Sequence, residues 1–294
     1  MDNKQTILVA GATGNIGGGA AVSLAKRGAK VVLLGHNLER LEARAKSIRS
    51  TLSDTRIEGQ DIDIATLVVD FSDMESVRQA AAEAGNRFPM IHGLILSHVA
   101  LIQNGPNILP NGHEVMFATN VMGPFLFTHL LNETLQESDG LVLHVINPTN
   151  MAIDWDDLES IKHHKTNTAY ERTKVMHRMI AGELARRYAG KICSVAFNPT
   201  FVIDKGDPEL AKRWPSGFLG FFWSVLTVLI AKPPAVAGEP IANLFLSYPD
   251  RSAINGALFK LDKRVKKPDR AMSDEVTAKR LWDELVLLTG IPVD

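Results

Sequence analysis

Short apolar runs recur along this chain, and between them apolar residues return every three or four positions. Short runs bounded by glycine or polar turns are typical of buried strands, and the wider spacing is typical of helices. Strands are predicted at residues 6–10, 30–34, 66–69, 91–96, 140–146, 191–197 and 254–261. Helices are predicted at residues 20–27, 38–52, 74–87, 123–135 and 169–187.

Strands and helices alternate along the chain, which predicts a parallel sheet covered by helices on both faces. We expect an α/β fold of the Rossmann type, a doubly wound parallel sheet in a single domain over residues 1–294. Residues 205–235 are expected to be an apolar lid over a substrate pocket, and residues 270–294 a helical tail. The most apolar part, residues 217–231, is shorter than the roughly 20 residues of a spanning helix. A buried helix or peripheral membrane contact are the alternatives there.

The composition is that of an ordinary globular protein, with 45% hydrophobic and 22% charged residues among 294. A net charge of −1 gives no attraction to nucleic acid, and the basic run 263–267 is expected to be a solvated loop. The single cysteine, Cys193, excludes an internal disulfide and a cysteine-rich metal site. With no signal-peptide pattern at the N-terminus, a cytoplasmic protein without a metal is expected.

A glycine loop links the first strand to the first helix, with glycines at positions 11, 14 and 17. In a βαβ unit such a loop lets the backbone approach a pyrophosphate, which the N–H groups and dipole at the helix start then hold. Gly18 and Gly19 follow and keep the backbone open. A dinucleotide site is expected, and a merely tight turn is the alternative.

Tyr170 and Lys174 lie four residues apart on a predicted helix and therefore share one face. A nearby ammonium favours the phenolate, so the tyrosine pKa is expected to fall from roughly 10 towards neutrality. The pair is thus a candidate acid/base, although this spacing also arises by chance.

These features, in this order, resemble the short-chain dehydrogenase/reductase family, and more narrowly its retinol-dehydrogenase-like branch. The other family landmarks are Asp70, Asn120 and the Asn198–Thr200 segment. Segments that resemble those of this branch in particular lie at residues 111–114, 153–158 and 281–284.

The resemblance implies that Tyr170 exchanges a proton with the substrate oxygen while a hydride moves to or from a nicotinamide. It implies that Lys174 lowers the tyrosine pKa and holds the nicotinamide ribose, and that Asn120 holds a water beside it. A helix N-cap is the alternative for Asn120. The implied cofactor contacts are Gly11, Thr13, Gly14, Asn15, Ile16, Gly17, His36, Asn37, Asp70, Phe71, Ser97, His98, Lys174, Pro199 and Val202.

The chain departs from the family at the catalytic serine, whose place is taken by Asn147. Asn147 is expected to donate an amide hydrogen bond to the substrate carbonyl. Thr149, or a turn without a catalytic role, are the alternatives.

Three further departures concern the cofactor. The glycines are spaced G-x-x-G-x-x-G, and His98 and Ala100 replace family residues after the fourth strand. His98 is either a packed histidine or a group that touches cofactor or substrate. Pro199-Thr200 and Asp204 replace the contacts to the nicotinamide amide.

The residues after the second strand help to determine whether NAD or NADP binds, because an acidic residue there would bind the ribose 2′-hydroxyl and favour NAD. Here the residues are Gly35, His36 and Asn37, with Arg40 following, so NADP is expected.

The leading hypothesis is an NADP-dependent oxidoreductase acting on a bulky hydrophobic carbonyl or secondary alcohol. The apolar segment 218–230 and Trp214 suggest that substrate class. Two alternatives keep the fold: non-redox chemistry by a cyclase, isomerase or dehydratase, and a catalytically silent dinucleotide-binding sensor or scaffold. The family also implies a homodimer or homotetramer formed by the helices that begin near Gly123 and Thr168.

Overall fold

A single eight-stranded sheet forms the centre of the structure, a computed structural model that describes residues 4–53, 62–203, 232–248 and 250–292. The strand order is β3-β2-β1-β4-β5-β6-β7-β8, and every pair is parallel except β7–β8. The strands are β1 (Thr6–Ala10), β2 (Lys30–Gly35), β3 (Ile64–Val68), β4 (Gly93–Leu96), β5 (Leu141–Val145), β6 (Cys193–Asn198), β7 (Leu258–Lys260) and β8 (Lys263–Arg264).

Helices cover both faces of this sheet, so the predicted doubly wound α/β fold is confirmed. They are α1 (Asn15–Lys26), α2 (Leu38–Ser53), α3 (Met74–Arg87), α4 (Val115–Phe117), α5 (Gly123–Leu130), α6 (Asn132–Glu137), α7 (Thr166–Arg187), α8 (Ala235–Leu246), α9 (Arg270–Ser273) and α10 (Glu275–Thr289). Helices α1, α2 and α8 pack on one face, and α3, α5, α7 and α10 pack on the other. Alternate residues of β1 enter the two cores, as the period of a strand requires.

Several element boundaries differ from the predicted ones. Helix α1 begins at Asn15 rather than at residue 20, because the glycines that suggested a longer loop form its first turns. The helix predicted at 123–135 starts eight residues earlier with α4, contains a π-helical turn at Ala118–Met122, and breaks at Leu131 before α6. The last predicted strand is only three residues long, since a 3₁₀ turn occupies Ser252–Ile254.

Consecutive glycines let α1 cross α8 at very short range. A Cβ added to Gly19 would lie 2.5 Å from the carbonyl oxygen of Pro234, and one added to Gly238 would lie 2.3 Å from that of Gly19. Gly19 is therefore a position where α1 packs closely on the start of α8. Gly18, beside the Arg44 side chain, is also buried inside α1, so the expectation that these two glycines open a phosphate loop is wrong.

Two further predictions concern the C-terminal tail and the expected lid. The predicted tail is helical from α9 through α10 and packs on α7. The predicted lid at 205–235 falls almost wholly outside the described residues, as do Asp204, Trp214 and the segment 218–230. Within the described ranges, no helix combines the length and the apolar character needed to cross a bilayer.

Candidate active site

Asn120 anchors the site from a π-helical turn between α4 and α5. Its amide oxygen accepts a hydrogen bond from the Ala100 backbone N–H at 2.7 Å, and its amide nitrogen donates to the Ala100 carbonyl at 2.8 Å. The same nitrogen lies 3.3 Å from the Thr173 hydroxyl, which in turn donates to the Tyr170 carbonyl at 2.7 Å. Asn120 is inside the helical run and caps nothing, so the capping alternative is excluded.

Tyr170 and Lys174 share one face of α7, as the spacing predicted, and the Lys174 Nζ lies 5.8 Å from the centroid of the tyrosine ring. Lys174 is buried, and the contact found for its ammonium is a long hydrogen bond of 3.4 Å to the Val145 carbonyl at the end of β5. Tyr170, Lys174 and Asn120 are thus brought together at the carboxyl edge of the sheet.

The ionisation of this pair differs from the expectation. Burial lowers the pKa of Lys174 to about 8, because an ammonium is poorly solvated there. The pKa of Tyr170 is raised above its ordinary value, first by burial and then by the Glu171 carboxylate. The expected lowering by Lys174 is therefore wrong for the chain alone, since the loss of solvation around the phenol outweighs the distant positive charge.

Asn147 follows β5 and points a polar atom into the protein. Its Oδ1 is buried and has no hydrogen-bond partner among the described residues. The Thr149 hydroxyl, by contrast, donates to the Glu171 carboxylate at 3.0 Å and accepts from the Met151 N–H at 3.3 Å. Of the two candidates for the serine position, only Asn147 has an uncommitted polar group.

The glycine loop is shaped for a close backbone approach. Gly11 has a φ of 78°, and a Cβ there would lie 2.6 Å from the His98 backbone nitrogen. Gly14 precedes α1 in an extended conformation and offers no side-chain cap, so the first N–H groups of the helix keep no side-chain acceptor. A Cβ at Gly17 would lie 2.4 Å from the Ser97 hydroxyl oxygen. A bare helix start behind an exposed Thr13–Gly14 turn fits a pyrophosphate group.

Neither residue directly after β2 is an acid, and the first carboxylate beyond this strand is that of Glu39 in the first turn of α2. His36 is exposed, while the Asn37 side chain accepts a hydrogen bond from the Arg40 N–H at 2.9 Å at the start of α2. The guanidinium of Arg44, one turn further along α2, lies over Gly18 of α1, close enough that a Cβ there would meet it. Arg44 was missed in the sequence, because only the packing of α2 on α1 carries its side chain towards the glycine loop.

Asp70, Phe71, Ser97 and His98 line the ends of β3 and β4. The Asp70 carboxylate accepts hydrogen bonds from both the backbone and the hydroxyl of Ser72, and thereby shapes its own turn. The Ser97 hydroxyl donates to the Ala10 carbonyl at 2.5 Å. His98 stacks on Phe71, with ring centroids 4.0 Å apart, and donates from Nε2 to the Thr119 carbonyl at 3.0 Å. Of the two alternatives for His98, these contacts are those of a packed histidine that is hydrogen-bonded in the protein interior.

The segment after β6 contains a residue, Thr200, whose backbone has a positive φ angle. Pro199 and Val202 are buried, and Val202 pairs with Lys232 in a parallel bridge. Between them, Thr200 has a φ of 63°, a conformation that a β-branched residue adopts at a cost of roughly 1–3 kcal/mol. Its hydroxyl is buried without a partner in the described ranges.

The three segments that resemble the retinol-dehydrogenase-like branch, at residues 111–114, 153–158 and 281–284, make structural contacts. The Glu159 carboxylate binds His113 at 3.0 Å and the Glu114 N–H at 2.8 Å, and Asp157 accepts from three backbone N–H groups, of Ile161, Lys162 and His163. Trp282 packs edge-on against Phe125. These contacts hold the segments around the site in place without entering it.

Two buried histidines and one buried arginine were also missed. His144 on β5 and His177 on α7 are 1% and 2% exposed, and their rings lie perpendicular with centroids 5.8 Å apart. Arg178 pairs with Asp269 at 2.7 Å and also donates to the Thr149 carbonyl. His177 follows Lys174 by three residues, so helical spacing was the available signal.

A cavity of about 800 Å³ opens at the opposite edge of the sheet, around Arg251. That guanidinium already donates to the carbonyls of His92, Asp139 and Phe245. Because ligands of such sheets bind at the carboxyl ends of the strands, this cavity is not the candidate active site.

Comparisons with known proteins identify the family of this chain. Residues 5–202 match the family model described as short chain dehydrogenase. Mouse retinol dehydrogenase 13 is 29% identical over 297 residues, which cover 98% of this chain and 84% of that protein. A Streptomyces sp. (strain C5) protein with the provisional name daunorubicin C-13 ketoreductase DnrU is 29% identical over 66% of this chain and 65% of its own length. A short chain dehydrogenase from Salmonella enterica serovar Typhi has a TM-score of 0.65 at 22% identity, covering 88% of this chain and 96% of its own.

Proposed function

This chain belongs to the short-chain dehydrogenase family, and from that premise we propose that it is an NADP(H)-dependent oxidoreductase of bulky, hydrophobic ketones or secondary alcohols. The observation that carries the proposal is the joint placement of Tyr170, Lys174 and Asn120 at the carboxyl edge of the sheet. That edge also carries the glycine loop with its uncapped helix start.

Tyr170 is the proposed acid and base. In ketone reduction its hydroxyl gives a proton to the carbonyl oxygen while the carbonyl carbon gains a hydride, which a bound nicotinamide supplies. The raised pKa keeps the hydroxyl protonated at neutral pH, as a donor requires. Lys174, whose pKa of about 8 leaves it mostly charged at pH 7, faces the ring and replaces the proton that Tyr170 loses.

Asn147 is the proposed partner of the substrate oxygen in place of a serine. A carboxamide carries both a donor and an acceptor, and the exchange of its oxygen and nitrogen positions is a simple rotation. Its buried amide oxygen, which has no partner among the described residues, supports this role, whereas the Thr149 hydroxyl is committed to Glu171. An amide donor placed at a developing oxyanion is worth roughly 10²–10³ in kcat.

NADP is the proposed cofactor, with its pyrophosphate on the glycine loop and its ribose beside Lys174. His36 and Asn37, directly after β2, provide no carboxylate for a ribose 2′-hydroxyl, and Arg40 and Arg44 of α2 supply positive charge beside the one carboxylate of that first turn, Glu39. The Asn37 amide oxygen accepts from the α2 backbone and its amide nitrogen remains a neutral donor, whereas a guanidinium is a charged donor and binds a phosphate more strongly.

A hydrophobic substrate is supported by the large apolar side chains exposed at this edge. They follow β4 and β6 or lie in the loop before α4, and they are Val99, Leu101, Ile108 and Phe201. Exposed apolar groups that cluster at the mouth of a site are a feature of substrate-binding surfaces. Two relatives are named for the dehydrogenation of retinol and for ketoreduction at C-13 of daunorubicin, and these names support a substrate of this class.

The proposal is tested by the stoichiometry of NADPH consumption with a panel of bulky ketones. We expect one NADPH oxidised for each alcohol formed, with NADH less effective. Product formed without any nicotinamide would instead establish the non-redox alternative. Calorimetric binding of NADPH without turnover on any ketone or alcohol would establish the silent binding protein.

A further inference from the structure

The segment directly after β5, residues 146–154, carries Asn147 and forms neither helix nor strand. Its first residue is still tied to the sheet, because the Ile146 N–H donates to the Phe197 carbonyl at 2.9 Å. Every second residue beyond Asn147 is exposed, namely Pro148, Asn150 and Ala152. Water therefore covers the outer side of this segment, and its position depends on contacts made from the inner side.

Helix α7 supplies those inner contacts with three charged side chains. The Glu171 carboxylate accepts a hydrogen bond from the Thr149 hydroxyl at 3.0 Å, and the Arg172 Nε donates to the Ala152 carbonyl at 3.1 Å. The Arg178 guanidinium donates from Nη2 to the Thr149 carbonyl. Thr149 is thus held through both its side chain and its backbone.

The guanidinium of Arg178 is itself held by a second partner in the protein interior. Its Nη1 lies 2.7 Å from Oδ2 of Asp269, and the two side chains are only 4% and 9% exposed. The other carboxylate oxygen of Asp269 accepts the Met272 N–H at 3.1 Å and so caps α9. A planar guanidinium with a partner at each terminal nitrogen has a fixed orientation. Because apolar side chains of similar volume often replace a buried ion pair without loss of stability, stability alone does not account for this pair.

Fixing Thr149 also restricts Asn147, because a proline stands between them. Proline holds its own φ at roughly −65° and confines the preceding residue to extended conformations. On the same face of α7, one turn before Arg178, Lys174 contacts the Val145 carbonyl at 3.4 Å. The two cations therefore hold the backbone two residues before and two residues after Asn147.

We propose that Arg178, held in place by Asp269, is a positioning residue that fixes this segment and aims the Asn147 amide at the substrate oxygen. The role rests on the function proposed above, in which this amide meets the substrate and its buried Oδ1 has no partner in the described chain. Arg178 acts through the Thr149 backbone rather than on the substrate. A displacement of about 1 Å at a catalytic group can cost about 10²-fold in rate.

The test removes both charges of the pair at once, so that no buried charge is left without a partner. In Arg178→Met/Asp269→Ser, methionine fills the space of the arginine stem and serine keeps an N-cap for α9. We expect kcat for a bulky ketone to fall by about 10–10²-fold, with NADPH binding unchanged. In an Asn147→Ala background the same two substitutions should lower kcat by less than about twofold, because no amide is left to position.

Arg187→Met/Asp283→Ser is the matched control, since it removes a half-exposed ion pair between α7 and α10, with the two groups 3.6 Å apart. Its kcat should equal that of the wild type. A wild-type kcat in Arg178→Met/Asp269→Ser would overturn the proposal. An equal loss of kcat with and without the Asn147 amide would also overturn it, because the disturbance would then be general. If this variant does not fold, Arg178→Lys carries the same comparison, since an ammonium keeps the charge but lacks the guanidinium fork.

Hydrogen exchange of residues 147–153 provides a readout that needs no turnover. Its direct reporter is the Met151 N–H, which donates to the Thr149 hydroxyl at 3.3 Å. Exchange there should be faster in Arg178→Met/Asp269→Ser than in the wild type and the control, and an unchanged rate would contradict the anchoring by Arg178. If the wild type reduces no ketone, the proposed oxidoreductase fails, while faster exchange in the variant would still establish that Arg178 holds this segment.

Discussion

At the scale of single residues, Lys174 imposes an electrostatic cost on the folded protein. Burial lowers its pKa to about 8, while an unfolded lysine keeps its proton up to roughly pH 10.4. Between these values the unfolded chain binds more protons, so the free energy of unfolding rises as pH rises through this window. Below it, this one group destabilises the fold by about 3 kcal/mol.

Replacing Lys174 by methionine should therefore stabilise the protein at neutral pH while removing its proposed role. We expect Lys174→Met to have a larger free energy of unfolding than the wild type at about pH 7, and this gap to shrink by about pH 9.5. Urea denaturation at the two pH values measures it, with Lys279→Met, an exposed lysine on α10, as the control. An equal gap at both pH values would show that Lys174 is not perturbed by burial.

The residues of the candidate site could be named from the sequence but the direction of their pKa shifts could not, and their catalytic roles stay predictions. Tyr170, Lys174 and Asn120 could be located because spacing and resemblance mark them. The direction of the Tyr170 pKa was wrong, because a sequence shows how far apart two residues are along a helix but not how deeply the ring is buried. His144 and His177 were missed for the same reason, since a titratable residue in a strand or helix looks ordinary until packing encloses it.

At the scale of elements, the crossing of α1 and α8 depends on glycine. Because a Cβ at Gly238 would lie 2.3 Å from a backbone oxygen, Gly238→Ala must separate the two helices. We expect a loss of at least about 2 kcal/mol in the free energy of unfolding, as for overpacking of a tight core.

Gly85 is the matched control, because it lies in α3 with no atom within 4 Å of an added Cβ. There, alanine should stabilise the protein by about 0.5–1 kcal/mol through its higher helix propensity. Chemical denaturation of both variants checks the pair. A Gly238→Ala variant as stable as the wild type would contradict the close crossing.

Element boundaries were predicted where apolar periodicity is strong, as for α3 at residues 74–87. They were misplaced at α1, where glycine normally marks a loop but here serves helix packing. The π-helical turn at Ala118–Met122 was not predicted, and neither were the two hydrogen bonds that join the Asn120 side chain to the Ala100 backbone, because Ala100 is 20 residues away along the chain.

At the scale of the whole molecule, the C-terminal segment covers the surface through which the resemblance predicted self-association. Helix α10 packs on α7 and α5, with Trp282 against Phe125, and the apolar residues Met176, Met179 and Ile180 of α7 are buried in this core. On α5, Phe125 and Leu126 are also buried, and Leu130 is exposed. A homo-oligomer stays a prediction, and with α10 in place it would need another surface.

One buried ion pair ties this C-terminal segment to the active-site loop. Asp269 binds Arg178, which also holds the Thr149 carbonyl two residues beyond Asn147. Asp269→Asn should leave a buried guanidinium without its charge partner and cost about 3–5 kcal/mol in the free energy of unfolding. Lys279→Ala breaks an exposed pair and should cost at most about 0.5 kcal/mol. Similar losses in both variants, by denaturation, would contradict the structural importance of the buried pair.

Tyr170 is the proton donor of the proposed reaction, and one comparison of variants tests this role directly. NADPH oxidation with a bulky ketone that the wild type reduces is measured for wild type and Tyr170→Phe, with NADPH binding measured in parallel. We predict that kcat falls by about 10²–10⁴-fold in Tyr170→Phe while NADPH still binds, because only the hydroxyl is lost. Equal turnover by the two proteins would contradict the assigned role of Tyr170 and the mechanism built on it.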